Sequence, residues 1–408
     1  MRNTSAIALI FSIAAIPSLS AQGFYQFGTD QGEGIPLKWK LNLNTVYDDN
    51  VGAGLQVNQK DGSLALNPSA GASVTYVTPQ STLDVYGRLG MIYYLDAPEG
   101  LDDTYSQSRF GLNYIHRFSE RVRFASTNFI SYELEPDYAY GYASSRTGGE
   151  TLFWETDNSL GYRWTERIGT YTGFRLRQAD YDLNENDRFT GQLYNQFRYQ
   201  LTPQTIATLD YRYEDVDASG FANDAQNQYL LLGAEHQFSP NITGVIRAGA
   251  QFRDLETRGS STNPHLEFNI IARPTTGLRL RSFLRYAVED YDTIQILQRG
   301  AALEYTEYAD RGTLRFGISG DYVINPSFTL VSGLDYIPTA YRDGEFLSDG
   351  ASSADVDEDV INVYLGLVYN INEFLKADIS YNYSQSDSDF PIRDYDRNRI
   401  SLGISAEF

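Results

Sequence analysis

From residue 37 onward the chain alternates apolar and polar side chains with a period of two. Trp39, Leu41 and Leu43 stand against Lys38, Lys40, Asn42 and Asn44, and Phe174 and Leu176 against Gly173, Arg175 and Arg177. Leu278, Leu280 and Leu284 oppose Arg279, Arg281 and Arg285, while Ile361, Val363, Leu365 and Leu367 oppose Asn362, Tyr364 and Gly366. Leu375, Ala377, Ile379 and Tyr381 oppose Lys376, Asp378, Ser380 and Asn382. The last residues keep the rhythm, with Ile400, Leu402, Ile404, Ala406 and Phe408 on one parity and Arg399, Ser401, Gly403, Ser405 and Glu407 on the other. Period two marks strands with one apolar and one polar face.

Short turn signals punctuate the alternation: VTPQS at 77, RFSERV at 117, RWTERI at 163, LTPQT at 201, FSPNI at 238, RPTTGL at 273, INPSF at 324 and INEFL at 371. Each ends one alternating segment and starts another, as a tight hairpin does. Their spacing of roughly 36 to 49 residues fits one up-strand, one longer loop and one down-strand per period. Eight such turns and two chain ends predict about eighteen strands, within a range of about 16–18.

A β-sandwich shows the same alternation. Three features favour a membrane barrel instead. The strands are nearer ten residues than five, which suits a tilted bilayer crossing. Turns alternate short and long, as at the two rims of a barrel. Phe408 ends a strand suited to pair with the first one, around residues 37–47. The expected fold is all-β, a transmembrane antiparallel β-barrel with short periplasmic turns and longer extracellular loops.

Composition sharpens this reading. The chain carries 32 Tyr and 22 Phe at a mean hydropathy of −0.39, and a membrane barrel places such rings in girdles at its two interfaces. MRNTSAIALIFSIAAIPSLSA has one basic residue, an apolar run too short to span a bilayer and a small residue before the cut, so residues 1–21 read as a signal peptide. Residues 22–35 read as a short periplasmic lead and 36–408 as the barrel. The mature chain holds 31 Lys+Arg against 53 Asp+Glu, a formal charge of −22, which argues against a nucleic-acid partner. With no cysteine, disulfides, thiolate metal sites and cysteine nucleophiles drop out.

The VYDDNVG after the first strand, the turn pattern of YIHRFSERV, YRWTERIG and QLTPQTIATLDYRYED, and the closing Phe408 resemble the outer-membrane barrels called putative beta-barrel porin 2. The likeness runs from about Leu37 to Phe408. It implies the outer membrane of a Gram-negative bacterium, with membrane lipid and lipopolysaccharide as surroundings.

Candidate chemistry lies on the polar parity. Lys38, Lys40, Arg88, Arg175, Arg177, Arg198, Arg212, Arg279, Arg281, Arg285, Arg315 and Lys376 are expected to line the lumen, where rings of basic side chains favour anions. Asp84, Asp210, Glu235, Glu267, Asp321 and Asp378 share that face, so internal ion pairing that stiffens the wall is an equal alternative. Acidic residues crowd the long connections, among them Glu133, Glu135 and Asp137, Asp180, Asp182, Glu185 and Asp187, and Asp343, Glu345, Asp349, Asp355, Asp357, Glu358 and Asp359. The DVDEDV run fails as an EF-hand, with Val360 where glycine is needed and Gly366 in place of the closing Glu; DLNEND fails with Asp187 at the glycine position. No metal ligand and no cofactor are assigned.

His116 and His236 precede short turns on the apolar parity and read as interface residues. His265, beside Pro264 and close to a long loop, has no nucleophile motif with it, so no catalytic residue is assigned. A lumen narrowed by an infolded loop would use 135–148, 291–310 or 340–358. The expected function is a porin-like channel for passive diffusion of small hydrophilic solutes. The alternative is a structural or surface-interaction barrel, associated with polysaccharide or another ligand, with an occluded lumen. Phe408 marks the strand expected to meet the barrel assembly machinery. Alternation hides any lipid-facing patch that would tell a monomer from a trimer.

Overall fold

Alternating segments become strands because only hydrogen-bonded neighbours satisfy their backbones while one face meets lipid. The computed structural model describes residues 37–53, 61–134, 149–182, 187–219, 223–256, 258–390 and 393–408. The leader 1–21, the lead 22–35, the candidate loop 135–148 with Glu135 and Asp137, and Glu185 lie outside the described residues. The first strands are β1 (Leu37–Asp48), β2 (Ser63–Val77), β3 (Ser81–Tyr94), β4 (Thr104–Arg117), β5 (Val122–Glu133) and β6 (Thr151–Arg163). They are followed by β7 (Ile168–Tyr181), β8 (Arg188–Thr202), β9 (Thr205–Ala218), β10 (Ala225–Ser239), β11 (Ile242–Leu255) and β12 (Gly259–Thr275). The remainder are β13 (Leu278–Val288), β14 (Ile294–Arg299), β15 (Ala302–Asn325), β16 (Phe328–Phe346), β17 (Val356–Asn370), β18 (Leu375–Ser388) and β19 (Tyr395–Glu407).

All pairings are antiparallel and join neighbours in the chain except β13 with β15 and the closing pair, in which β1, already paired with β2, meets β19. Of the 19 strands, β13 and β14 share β15 at different heights, so 18 stand around the perimeter. The seam is tied by reciprocal bonds of 2.9 Å between Trp39 and Phe408, each backbone N–H donating to the other's carbonyl. Closure removes the free edges of the sheet except above the β12–β13 pairing, where residues 259–265 of β12 pair with β11 alone and β14 with β15 alone.

Each of the eight short turn signals joins two paired strands at one rim. Above them most strands run 12 to 15 residues, and β15 and β16 reach 24 and 19, longer than a bilayer crossing needs. The opposite rim departs from expectation at two places: residues 256–258 join β11 to β12, and Gly300 and Ala301 alone join β14 to β15, connections as tight as those below. The other two candidate infolded loops are largely strand. Residues 294–299 and 302–310 belong to β14 and β15, and 340–346 and 356–358 to β16 and β17.

Outward positions carry an apolar belt in which Leu89 is 70% and Leu232 68% exposed, with Leu41, Leu193 and Leu402 beside them in character. So much exposed apolar surface on a closed barrel belongs in lipid. At the short-turn rim Phe118, Trp164, Phe238, Phe374 and Phe408 are exposed and form the aromatic girdle of an interface. His116 and His236 sit in this girdle. Each ring packs edge-on against an aromatic two residues on, Phe118 and Phe238, at 4.6 Å. Their Nδ1 atoms meet Ser81 Oγ at 2.7 Å and Thr205 Oγ1 at 2.9 Å across the strand pair.

Candidate functional site

The inward face is a lattice of guanidinium and carboxylate groups. Arg88 and Arg109 donate to the two oxygens of Glu133 at 2.6 and 2.5 Å. Arg175 donates to Asp157 at 2.6 Å, and Arg177 to Glu214 at 2.7 Å. Arg198 is fully buried and holds Glu235 in a two-pronged contact of 2.7 and 2.5 Å, the geometry a planar guanidinium favours. Arg212 grips Glu267 in the same way at 2.6 and 3.1 Å. Nearer the short-turn rim, Lys38 and Lys376 share Glu407 at 3.4 and 3.1 Å, and Arg279 faces Asp321 at 3.9 Å. Lys40 stands in the fields of Glu407 and Asp378, and Arg281 lies opposite Ser319 in the β13–β15 register.

Glycines let the inward rings lie flat. Gly161 stands opposite Tyr171 and Gly317 opposite Phe283. A Cβ at either glycine would come within 2.4 or 2.2 Å of the facing ring, so only glycine leaves room for it.

Toward the long-loop rim the lumen closes. After Val288 the chain leaves the β15 edge, enters the interior and returns at Ile294. Glu289 is the hub of the departure: Arg285 donates to it at 2.7 Å, Arg311 at 2.8 Å, and Arg315 at 2.7 and 2.8 Å. Burial alone would raise its pKa, but the charge and hydrogen bonds of Arg315, with Arg285 and Arg311, outweigh that and hold the carboxyl well below the ordinary range. Asp290 accepts from Arg253 and Asn227, both at 2.7 Å, and its carbonyl accepts from Arg188 at 2.9 Å.

Tyr291 reaches Thr190 Oγ1 at 2.8 Å and packs its ring among Phe129, Phe153, Ala179 and Tyr181 of β5–β7. Asp292 takes two bonds from Arg393, at 3.0 and 2.9 Å, and Arg393 also binds Glu358 of β17 at 2.7 Å. Beside this segment Ala309 of β15 is buried with Val216, Ala225 and Leu255 of β9–β11, and its carbonyl accepts from Arg253. The β13–β15 wall thus leans in against the wall formed by β8–β11.

Of the twelve basic positions read from the sequence, Lys38, Arg88, Arg175, Arg177, Arg198, Arg212, Arg279, Arg285, Arg315 and Lys376 make ion pairs with wall or segment carboxylates. Sequence reasoning missed Arg188, Arg253, Arg311 and Arg393; of the segment they hold, Tyr291 and Asp292 fall at the start of the 291–310 stretch named as a candidate for infolding, while Glu289 and Asp290 lie just before it. It also missed Arg397, which is buried and binds Asp48 across the β1–β19 seam at 3.0 Å. His265 is not a rim residue: six positions into β12, it is buried, its Nε2 lies 3.0 Å from Glu267, and its ring meets Tyr229 edge-on at 5.1 Å. It packs into the wall network through the carboxylate that Arg212 also grips. Among the described residues no cluster of His, Asp and Glu has the arrangement of a metal site.

A closed barrel with a lipid-facing belt, an aromatic girdle and a charged interior is a Gram-negative outer-membrane β-barrel. The family model described as "Putative beta-barrel porin 2", the family the sequence pattern resembles, matches residues 313–408. No curated protein matches the chain. Among solved structures it is similar to a BenF-like porin from Pseudomonas fluorescens Pf-5, at 12% identity over 94% of this chain and 100% of that one, with a TM-score of 0.47. OccK2 (OpdF) of Pseudomonas aeruginosa, solved with glucuronate, is 13% identical over 91% and 98% with a TM-score of 0.46. OccAB4 of Acinetobacter baumannii is 13% identical over 92% and 99% with a TM-score of 0.42. The bound glucuronate is a property of that neighbour alone.

Proposed function

We propose that the protein is a porin-like channel for passive diffusion of small hydrophilic solutes, with no covalent chemistry of its own. The observation that carries the reading is the inside-out pattern: an apolar belt outside and charged groups within, on a closed barrel of 18 strands, a strand number that encloses an aqueous channel in outer-membrane proteins. Ion pairing at ten of the twelve basic positions supports wall stiffening as their role over anion preference. A solute then meets a charge-balanced wall. A second reading, a surface-interaction barrel with an occluded lumen, is favoured by the contacts of Asp290, Tyr291 and Asp292 across the interior.

Under the channel reading, export follows from a cleaved leader at residues 1–21, and the β19 strand with Phe408 engages the assembly machinery in a membrane whose outer leaflet is lipopolysaccharide. The test is osmotic swelling of liposomes carrying the refolded barrel. Swelling with small neutral sugars that falls off with solute size supports the channel; folded barrels that admit none leave the occluded reading.

A further inference from the structure

The infolded segment has a second place to go. On one side of it Val288 pairs with Gly312, and the Glu289 N–H donates to the Arg311 carbonyl at 3.0 Å. On the other side Ile294 pairs with Glu307, and the Tyr308 N–H donates to the Thr293 carbonyl at 3.0 Å. Both ends are therefore already seated on the β15 edge. Only Asp290, Tyr291 and Asp292 are detached, and the stretch of β15 they pass over is Ala309 and Asp310. Three residues against two is the count of a β-bulge, which adds one residue to one strand without disturbing the register beyond it. Asp292 has φ of 59°, a left-handed conformation that aspartate tolerates and bulges use.

We propose that residues 290–292 are a gate with two seats. In the closed seat, the one seen here, they project into the lumen and are latched by Arg253 on one side and Arg393 on the other. In the open seat they lie along Ala309 and Asp310, joining β13 and β14 into one continuous wall strand, and the latching arginines turn to the lumen. The exchange trades charged hydrogen bonds for ladder hydrogen bonds with the β13 and β14 registers kept, and it opens the lumen when Ala309 also leaves Val216, Ala225 and Leu255 and its carbonyl releases Arg253. The proposal rests on the channel reading.

Deleting Tyr291 tests it, because two residues against two make a plain ladder and abolish the closed seat. Single-channel currents are recorded in planar bilayers for the refolded wild type, the Tyr291 deletion and Arg393→Gln, with folding checked by heat-modifiable gel mobility. The wild type is expected to step between a closed and an open level. The deletion is expected to stay open, and Arg393→Gln to raise the ratio of open to closed time by about tenfold or more, as loss of a charged hydrogen bond implies. Should the deletion variant fail to fold, the dwell times of Arg393→Gln carry the test alone. Identical steady currents in wild type and variants overturn the gate and leave the channel standing. A change in current amplitude with no change in dwell times also overturns it, in favour of a fixed constriction. Folded barrels that are all silent overturn gate and channel together.

Discussion

The two ends of the lumen use the same residue types on the same strand parity, yet they are built differently. Toward the short-turn rim, Arg279 and Lys376 pair with carboxylates on adjacent strands and keep 30% and 28% of their side chains exposed. Toward the long-loop rim, Arg311 and Arg315 converge on one carboxylate of the infolded segment and are 0% and 1% exposed. A ladder pair in a wet vestibule is solvated on both sides. A hub closed over by the opposite wall is not, and its charges depend on one another. The difference teaches that parity sets which face a charge takes, while the height of the charge and what crosses the lumen there decide whether it is wall or lock.

The comparison breaks most visibly at the hub. Glu289→Gln leaves Arg285, Arg311 and Arg315 crowded together without their carboxylate, and a loss of about 3–5 kcal/mol is expected, as for removal of one partner of a buried ion pair. Urea unfolding in detergent, followed by tyrosine fluorescence, reads it. Arg397→Gln, which strips Asp48 of its buried partner at the seam, is expected to cost about 3 kcal/mol and to accelerate unfolding from the β1–β19 junction. Arg279→Gln is the contrasting case in the vestibule. A half-buried, solvent-reached pair of this length contributes about 1 kcal/mol or less, so its urea midpoint should stay close to that of the wild type.

The smallest effect is that of mild acid. Because the folded-state pKa of Glu289 is depressed, its contribution is fully present above the unfolded value of about 4.3 and is lost only as pH falls through the lower folded value. Lowering the pH from about 8 to about 5 should therefore leave the hub contribution unchanged, measured as the difference in unfolding free energy between wild type and Glu289→Gln. A difference that shrinks over this range would contradict the arginine clamp.

Much of this architecture is legible in the chain. All eight short turns stand where Pro, Asn, Ser and Thr break the alternation, and the apolar parity of Ile400 to Phe408 anticipates the bond to Trp39. The hub is not legible, for a physical reason. The stretch VEDYDT has no glycine or proline to announce a departure from the ladder, and Ile294 resumes the strand on the far side as though nothing had intervened. Arg188, Arg253 and Arg393 come from elements far apart in sequence, and their convergence exists only once the barrel has closed. His265 shows the same limit: its neighbour Pro264 suggests a loop, but proline is tolerated here because the upper part of β12 pairs only with β11.

The reversal potential of the refolded wild-type channel across a potassium chloride gradient tests the central claim, a charge-balanced pore, most directly. Conduction with a reversal potential at zero or on the cation side is predicted, because most of the lumenal basic side chains are paired with carboxylates and the loops are acidic. A reversal potential on the anion side, or a folded barrel that passes no current at any voltage, would contradict it.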